Sequence, residues 1–81
     1  MREKDLTTKL VENIERIPEV KRVEIVPVCE IYIDTCLKVV VKDNSKETRM
    51  KVANVITEVA TEEQERLGKY PEIYWDVEVE P

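Results

Sequence analysis

The chain has 81 residues, with 13 Lys plus Arg against 18 Asp plus Glu for a net charge of −5, and no histidine. That length holds one domain with one small core, burying about two thirds of its unfolded surface, and two cysteines are too few for the disulfide framework of small secreted folds. The missing histidine excludes Ser-His and Cys-His catalytic pairs, and the lone glycine, Gly68, excludes a glycine-rich phosphate loop.

The N-terminal MREKDLTTKL has no apolar run of signal-peptide length, and no stretch reaches the ~18 apolar residues of a membrane span. The expectation is a cytoplasmic protein without a membrane partner. Charged residues make up 38% of the chain, and the heat-labile amides are few (three Asn, one Gln), a thermophile-like profile. Residues 58–81 carry eight acidic and two basic groups. Such a tail repels phosphate backbones and sets nucleic acid aside as a partner.

In chain order, Leu6, Leu10, Ile14 and Ile17 recur at spacings of four, four and three, one face of a helix that Pro18 ends. KRVEIVPV is β-branched and alternates at Val23 and Ile25, a first strand that Pro27 stops or places on an edge. The next stretch, residues 26–43, holds Cys29 and Cys36 and has two readings. A turn at residues 30–35 would set the cysteines across a hairpin, within reach of a disulfide. That turn is EIYIDT, rich in β-branched and aromatic residues and without Gly, Asn or Pro. A turn near Pro27-Val28-Cys29 instead makes residues 30–42 one strand with Ile31, Ile33, Leu37, Val39 and Val41 on one face, and pairs Ile25 with Ile31 and Val23 with Ile33. The second reading is favoured. It separates the cysteines by over ~20 Å on opposite faces and expects two unpaired thiols.

Asp43-Asn44-Ser45 offers cap oxygens for a second helix over 46–67, with Val52, Ala53, Ile56, Val59, Ala60 and Leu67 on one stripe widened by Val55. Leu67-Gly68 followed by Pro71 is a left-handed C-cap signal. PEIYWDVEVEP then alternates as a half-buried last strand, with Ile73, Trp75, Val77 and Val79 turned to the helices and Trp75 expected as a core anchor. The predicted fold is α+β, a single domain over 1–81: a two-layer α-β-β-α-β sandwich with two helices on one face of a three-stranded sheet and the even-numbered strand residues on an open face.

Three constellations suggest function. Asp34, Asp76 and Glu78 share even parity on the open face, and such oxygen ligands suit Mg²⁺ or Mn²⁺. The strand order with its carboxylates is similar in outline to the core of small nucleotidyltransferases, which implies divalent-metal-dependent phosphoryl transfer; their Gly-Ser turn and Asp-x-Asp pair are absent. The helix-and-sheet composition is also similar to KH-like RNA-binding domains, but their Gly-x-x-Gly loop is missing, and only Tyr32 and Tyr74 offer stacking surfaces.

The third constellation is the charge order of the second helix. Lys46, Arg49 and Lys51 lie at its start and Glu58, Glu62, Glu63 and Glu65 toward its end, against the helix dipole. An antiparallel copy would complement it, predicting a twofold contact through Arg49, Lys51, Val55, Glu58 and Glu62. The reading is a non-catalytic, self-associating or protein-binding domain without a cofactor, partnered by a second copy or a small protein. The metal-dependent enzyme is the alternative.

Overall fold

The computed structural model describes residues 5–26 and 33–80. In chain order it contains α1 (Leu6–Glu15), β1 (Val20–Ile25), β2 (Thr35–Val41), α2 (Lys46–Leu67) and β3 (Ile73–Val79). The α+β architecture is the one the apolar periodicities require. Strand β2 is central, antiparallel to β1 and parallel to β3. The parallel pair needs a crossover, and α2 supplies it.

Both helices begin and end where local chemistry dictates. The Asp5 carboxylate accepts from the Thr8 N–H at 2.8 Å and caps α1. The Ile17 N–H then donates to Ile14 O at 3.0 Å and closes the last turn before Pro18. At α2 the Ser45 hydroxyl accepts from the Thr48 N–H, while the buried Thr48 hydroxyl donates to Asp43 Oδ1 at 3.0 Å. Gly68 ends α2 at φ 79°, a left-handed conformation that a side chain would strain, and its N–H donates to Gln64 O.

The core lies between the helices and one sheet face. It joins Leu10, Ile14 and Ile17 to Val52, Ile56 and Val59 of α2 and to Val20, Leu37, Val39 and Val41 of the sheet. A bulge between Val20 and Arg22 explains how an even-numbered residue of β1 enters a core otherwise fed by odd ones. Trp75 packs against this cluster but is only partly buried, with Ile73 and Val77 beside it. The expected core anchor is thus half-covered, because the buried stripe of α2 is spent on β2 and α1.

The expected long strand over 30–42 is corrected. β2 begins at Thr35, and Ile33 and Asp34 precede it. Ile25 pairs with Leu37 and Val23 with Val39, in place of Ile31 and Ile33. The parity argument that set the cysteines on opposite faces of one strand therefore lapses. Cys36 is disulfide-bonded, which overturns the expectation of two unpaired thiols. Cys29, the other cysteine of the sequence, lies outside the described residues, as do Ile31 and Tyr32.

Candidate functional site

The structure does not bring the three open-face carboxylates together. Asp34 stands at the mouth of β2, where its N–H donates to Glu72 O and its Oδ2 accepts from the Glu72 N–H, both at 2.8 Å. Its carboxylate locks the start of the β2–β3 ladder. Asp76 is in register with Lys38 and Glu78 with Val40, four and six residues further along β2, so about 13 and 20 Å from Asp34 along the strand. Glu78 is ion-paired with Lys38, and Asp76 Oδ1 accepts from the Val77 N–H at 2.9 Å. Among the described residues no group of three or more His, Cys, Asp or Glu is placed to hold a metal ion.

The open face is instead a lattice of ion pairs over the even residues of β2. Arg22 bridges Glu24 and Glu80, and Lys38 takes Glu78. The hydrogen bond that Arg22 donates to Glu80, with that to Glu24, raises the Arg22 pKa, and the bond that Lys38 donates to Glu78 raises that of Lys38. Val40 lies between Arg22 and Glu78 in the register and is 2% exposed. Cys36, next to Tyr74, is 6% exposed. The face read as open from parity is therefore closed at its centre, where Val40 and Cys36 are both buried.

The charged residues of α2 divide between two flanks. At ~100° per residue, Arg49 and Lys51 point about 200° apart around the axis. Arg49 lines a groove with Lys46, Met50, Ala53 and Trp75 on the β3 side. Lys51 and Val55 line a second groove with Asn13, Arg16 and Pro18 on the α1 side. Lys51 already donates to Glu19, which lowers the Glu19 pKa. Glu58 and Glu62 are exposed and fall on the Lys51–Val55 stripe. Arg49 does not join them.

Glu63 belongs to the acidic end of α2 by charge, yet unlike Glu58 and Glu62 it is inside, with its side chain 1% exposed. Lys9 of α1 and Arg66 each donate to it at 2.7 Å, and these bonds, Arg66 first, hold its carboxyl below the usual range. Its phase was the available signal: Glu63 follows Ile56, Val59 and Ala60 at helical spacing, on the stripe facing α1. Among the described residues no helix is long and apolar enough to cross a membrane.

No family model and no curated protein matches the chain. Solved structures do match it in fold. One is a variant of the MamM CTD, 13% identical, at a TM-score of 0.56, covering 99% of this chain and 100% of that one. The copper form of the MamM CTD is 14% identical at 0.52, with 94% and 84% covered. A nickel form of a further variant is 12% identical at 0.51, with 94% and 96% covered. At such identities the likeness is one of fold, and this chain is similar over nearly its whole length to those C-terminal domains.

Proposed function

We propose that the chain is a single non-catalytic association domain whose partner is a second copy of itself, in contact through the α1-side flank of α2. One observation carries this reading. Lys51, Val55, Glu58 and Glu62 form a stripe at spacings of four, three and four, with a half-buried apolar centre, a cation before it and two carboxylates after it. A twofold axis at Val55 sets each Lys51 beside Glu58 of the other copy. Arg49, on the opposite flank, plays no part.

The metal-dependent alternative through Asp34, Asp76 and Glu78 has no support in the register. Copper and nickel belong to the MamM CTD structures. The present sequence has no histidine to offer either, and the proposed function runs through no metal. The placement proposed is the cytoplasm of a heat-adapted cell. A disulfide at Cys36 fits there, because intracellular proteins of hyperthermophiles are disulfide-rich.

Sedimentation equilibrium at low ionic strength tests the contact, since exposed charge pairs are weak and screened by salt. The expected result is a dimer that Glu58→Lys with Glu62→Lys weakens. Adding Lys51→Glu with Glu19→Lys, which preserves the intramolecular Lys51–Glu19 pair in reverse, should restore it. A wild-type chain that stays monomeric at high concentration overturns the reading.

A further inference from the structure

The two ends of the sheet are built differently. β1 is interrupted by its bulge, one of the devices that blunt a sheet edge. β3 runs in unbroken register with β2 from Ile73 to Val79 and is the last strand of the sheet. The ladder fixes which of its backbone groups are spent. Glu72 O accepts from Asp34 and Thr35, and the Glu80 N–H donates to Val41 O. In a parallel pair this makes the even residues of β3 the ones bonded to β2. The N–H and C=O groups of Ile73, Trp75, Val77 and Val79 therefore face outward along this edge, where the Val77 N–H is held by Asp76 Oδ1 at 2.9 Å.

Beside that edge the helix layer leaves a groove with an apolar floor. Met50, Ala53 and Trp75 line its first half together with the cations Lys46 and Arg49, and Ala53, Thr57, Tyr70, Ile73 and Trp75 line its second. Met50 is 55% and Tyr70 51% exposed. On the other face β3 presents Glu72, Tyr74, Asp76, Glu78 and Glu80, without a cation. Glu78 and Glu80 have internal partners in Lys38 and Arg22, whereas among the described residues Asp76 is bonded to the Val77 N–H alone.

These charges select the occupant. A twofold β3–β3 pairing centred on Trp75 sets Glu72 against Glu78 of the other copy. Centred on Asp76 it sets Asp76 against itself, and centred on Val77 it sets Asp76 against Glu78. Each register opposes carboxylates, in the non-hydrogen-bonded pairs where side chains approach most closely. We infer that the β3 edge accepts an extended segment of a partner protein in which Lys or Arg alternates with apolar residues. That segment adds as a further strand: its main chain bonds the outward groups of Ile73, Trp75, Val77 and Val79, taking the Val77 N–H over from Asp76, its apolar side chains enter the Met50–Ala53–Trp75 groove, and its cations lie over the released Asp76 carboxylate and Glu72. This surface is separate from the α2 stripe, and neither requires the other.

The probe is a capped synthetic peptide alternating lysine and valine, matched to β3 in length, with a glutamate-for-lysine peptide as control. Binding is followed by Trp75 fluorescence and by amide hydrogen exchange. The expected result is saturable binding of the lysine peptide alone, with new protection at the amides of Ile73, Trp75, Val77 and Val79. Asp76→Lys lies on the exposed face and should leave the fold intact while weakening binding about fivefold to tenfold. Val77→Pro removes an outward N–H without touching the β2 ladder and should abolish protection along the edge. Equal binding of both peptides, indifference to Asp76→Lys, or protection on β1 in place of β3 overturns the inference. So does protection of the β3 amides that rises with protein concentration in the absence of peptide, since a second copy would then hold the edge. Sedimentation of the peptide-free protein reports the α2 contact independently.

Discussion

The β1 side of the molecule is closed where α1 covers it, although Ile25 at the end of β1 is 59% exposed, and the β3 side is half-roofed. On the first, α1 packs against both β1 and α2, and Leu10 and Ile14 are completely buried. On the second, the groove beside α2 leaves Ile73, Trp75 and Val77 partly exposed and Met50 largely so. Two helices of unequal length over three strands produce this asymmetry. The buried stripe of α2 is used against α1 and the central strand, and nothing comparable remains for β3. Stability is therefore concentrated on one side and accessible apolar surface on the other, the division expected of a domain that binds through an edge.

The largest effects should fall on the closed side. Leu10→Ala removes a fully buried side chain between two helices and is expected to cost about 2–5 kcal/mol in denaturant unfolding. That is a large part of the ~5–15 kcal/mol available to a small domain. Trp75→Ala, although it deletes far more atoms, should cost less than the ~3–5 kcal/mol typical of a buried aromatic, because its ring already meets water in the groove. A Trp75→Ala loss exceeding that of Leu10→Ala would invert the comparison and place the true core under β3.

Glu63 sharpens the same contrast through pH. Its carboxyl is held low by Arg66 and Lys9, so the folded state binds fewer protons than the unfolded chain as pH falls through the unfolded carboxylate range near ~4.3. The stability it confers is present above that range and is lost on acidification through the folded pKa. Asp5, Glu19 and Asp43 are lowered too, by Thr8, Lys51 and Ser45 respectively, and act with the same sign. Glu63→Gln keeps the volume and loses the charge. It should cost about 1.5–3 kcal/mol at neutral pH, and less at acid pH, as protonation of the wild-type carboxyl removes the same contribution. Lys9 is 26% and Arg66 39% exposed, so water still reaches the cations and the full penalty of a stranded buried charge does not arise. An unchanged loss at both pH values would show that the site matters by packing alone.

The elements were legible because each carries its own periodicity and stop signal. Ser45 and Gly68 bound α2 at the residues where cap chemistry places them, and the alternation from Ile73 to Val79 gave β3. What failed was the stretch between β1 and β2, where a parity argument carried β2 back past Thr35, its first residue. Parity counts residues, and it cannot tell where pairing begins; the disulfide at Cys36 is the casualty. The bulge at Val20–Arg22 escaped for the same reason, since an extra residue changes phase without changing composition. In α2 the error was one of charge: Glu63 was grouped by sign with exposed neighbours, although its phase placed it inside. Asp34, Asp76 and Glu78 share parity but not register, and only the pairing of β2 with β3 reveals the separation.

The smallest expected effect lies on the ion-paired sheet face. Arg22 is half exposed and bonds Glu24 and Glu80, spanning the sheet above Val40 from β1 to the end of β3. Exposed pairs of this kind contribute little each and are screened by salt, yet Arg22 also covers apolar surface with its stem. Two controls separate these roles. Arg22→Lys keeps a cation and a stem but loses the fork that reaches two carboxylates; Arg22→Met keeps the stem and loses the charge. If coverage of Val40 is what Arg22 provides, the methionine variant should melt close to the wild type at high salt and slightly below it at low salt, while Arg22→Ala falls below both at either salt. If the ion pairs dominate, Arg22→Met and Arg22→Ala should melt alike at low salt. A face held by coverage would mean that side chains close the sheet over Val40 as the helices close its other face, while β3 keeps an outward backbone edge beside its groove.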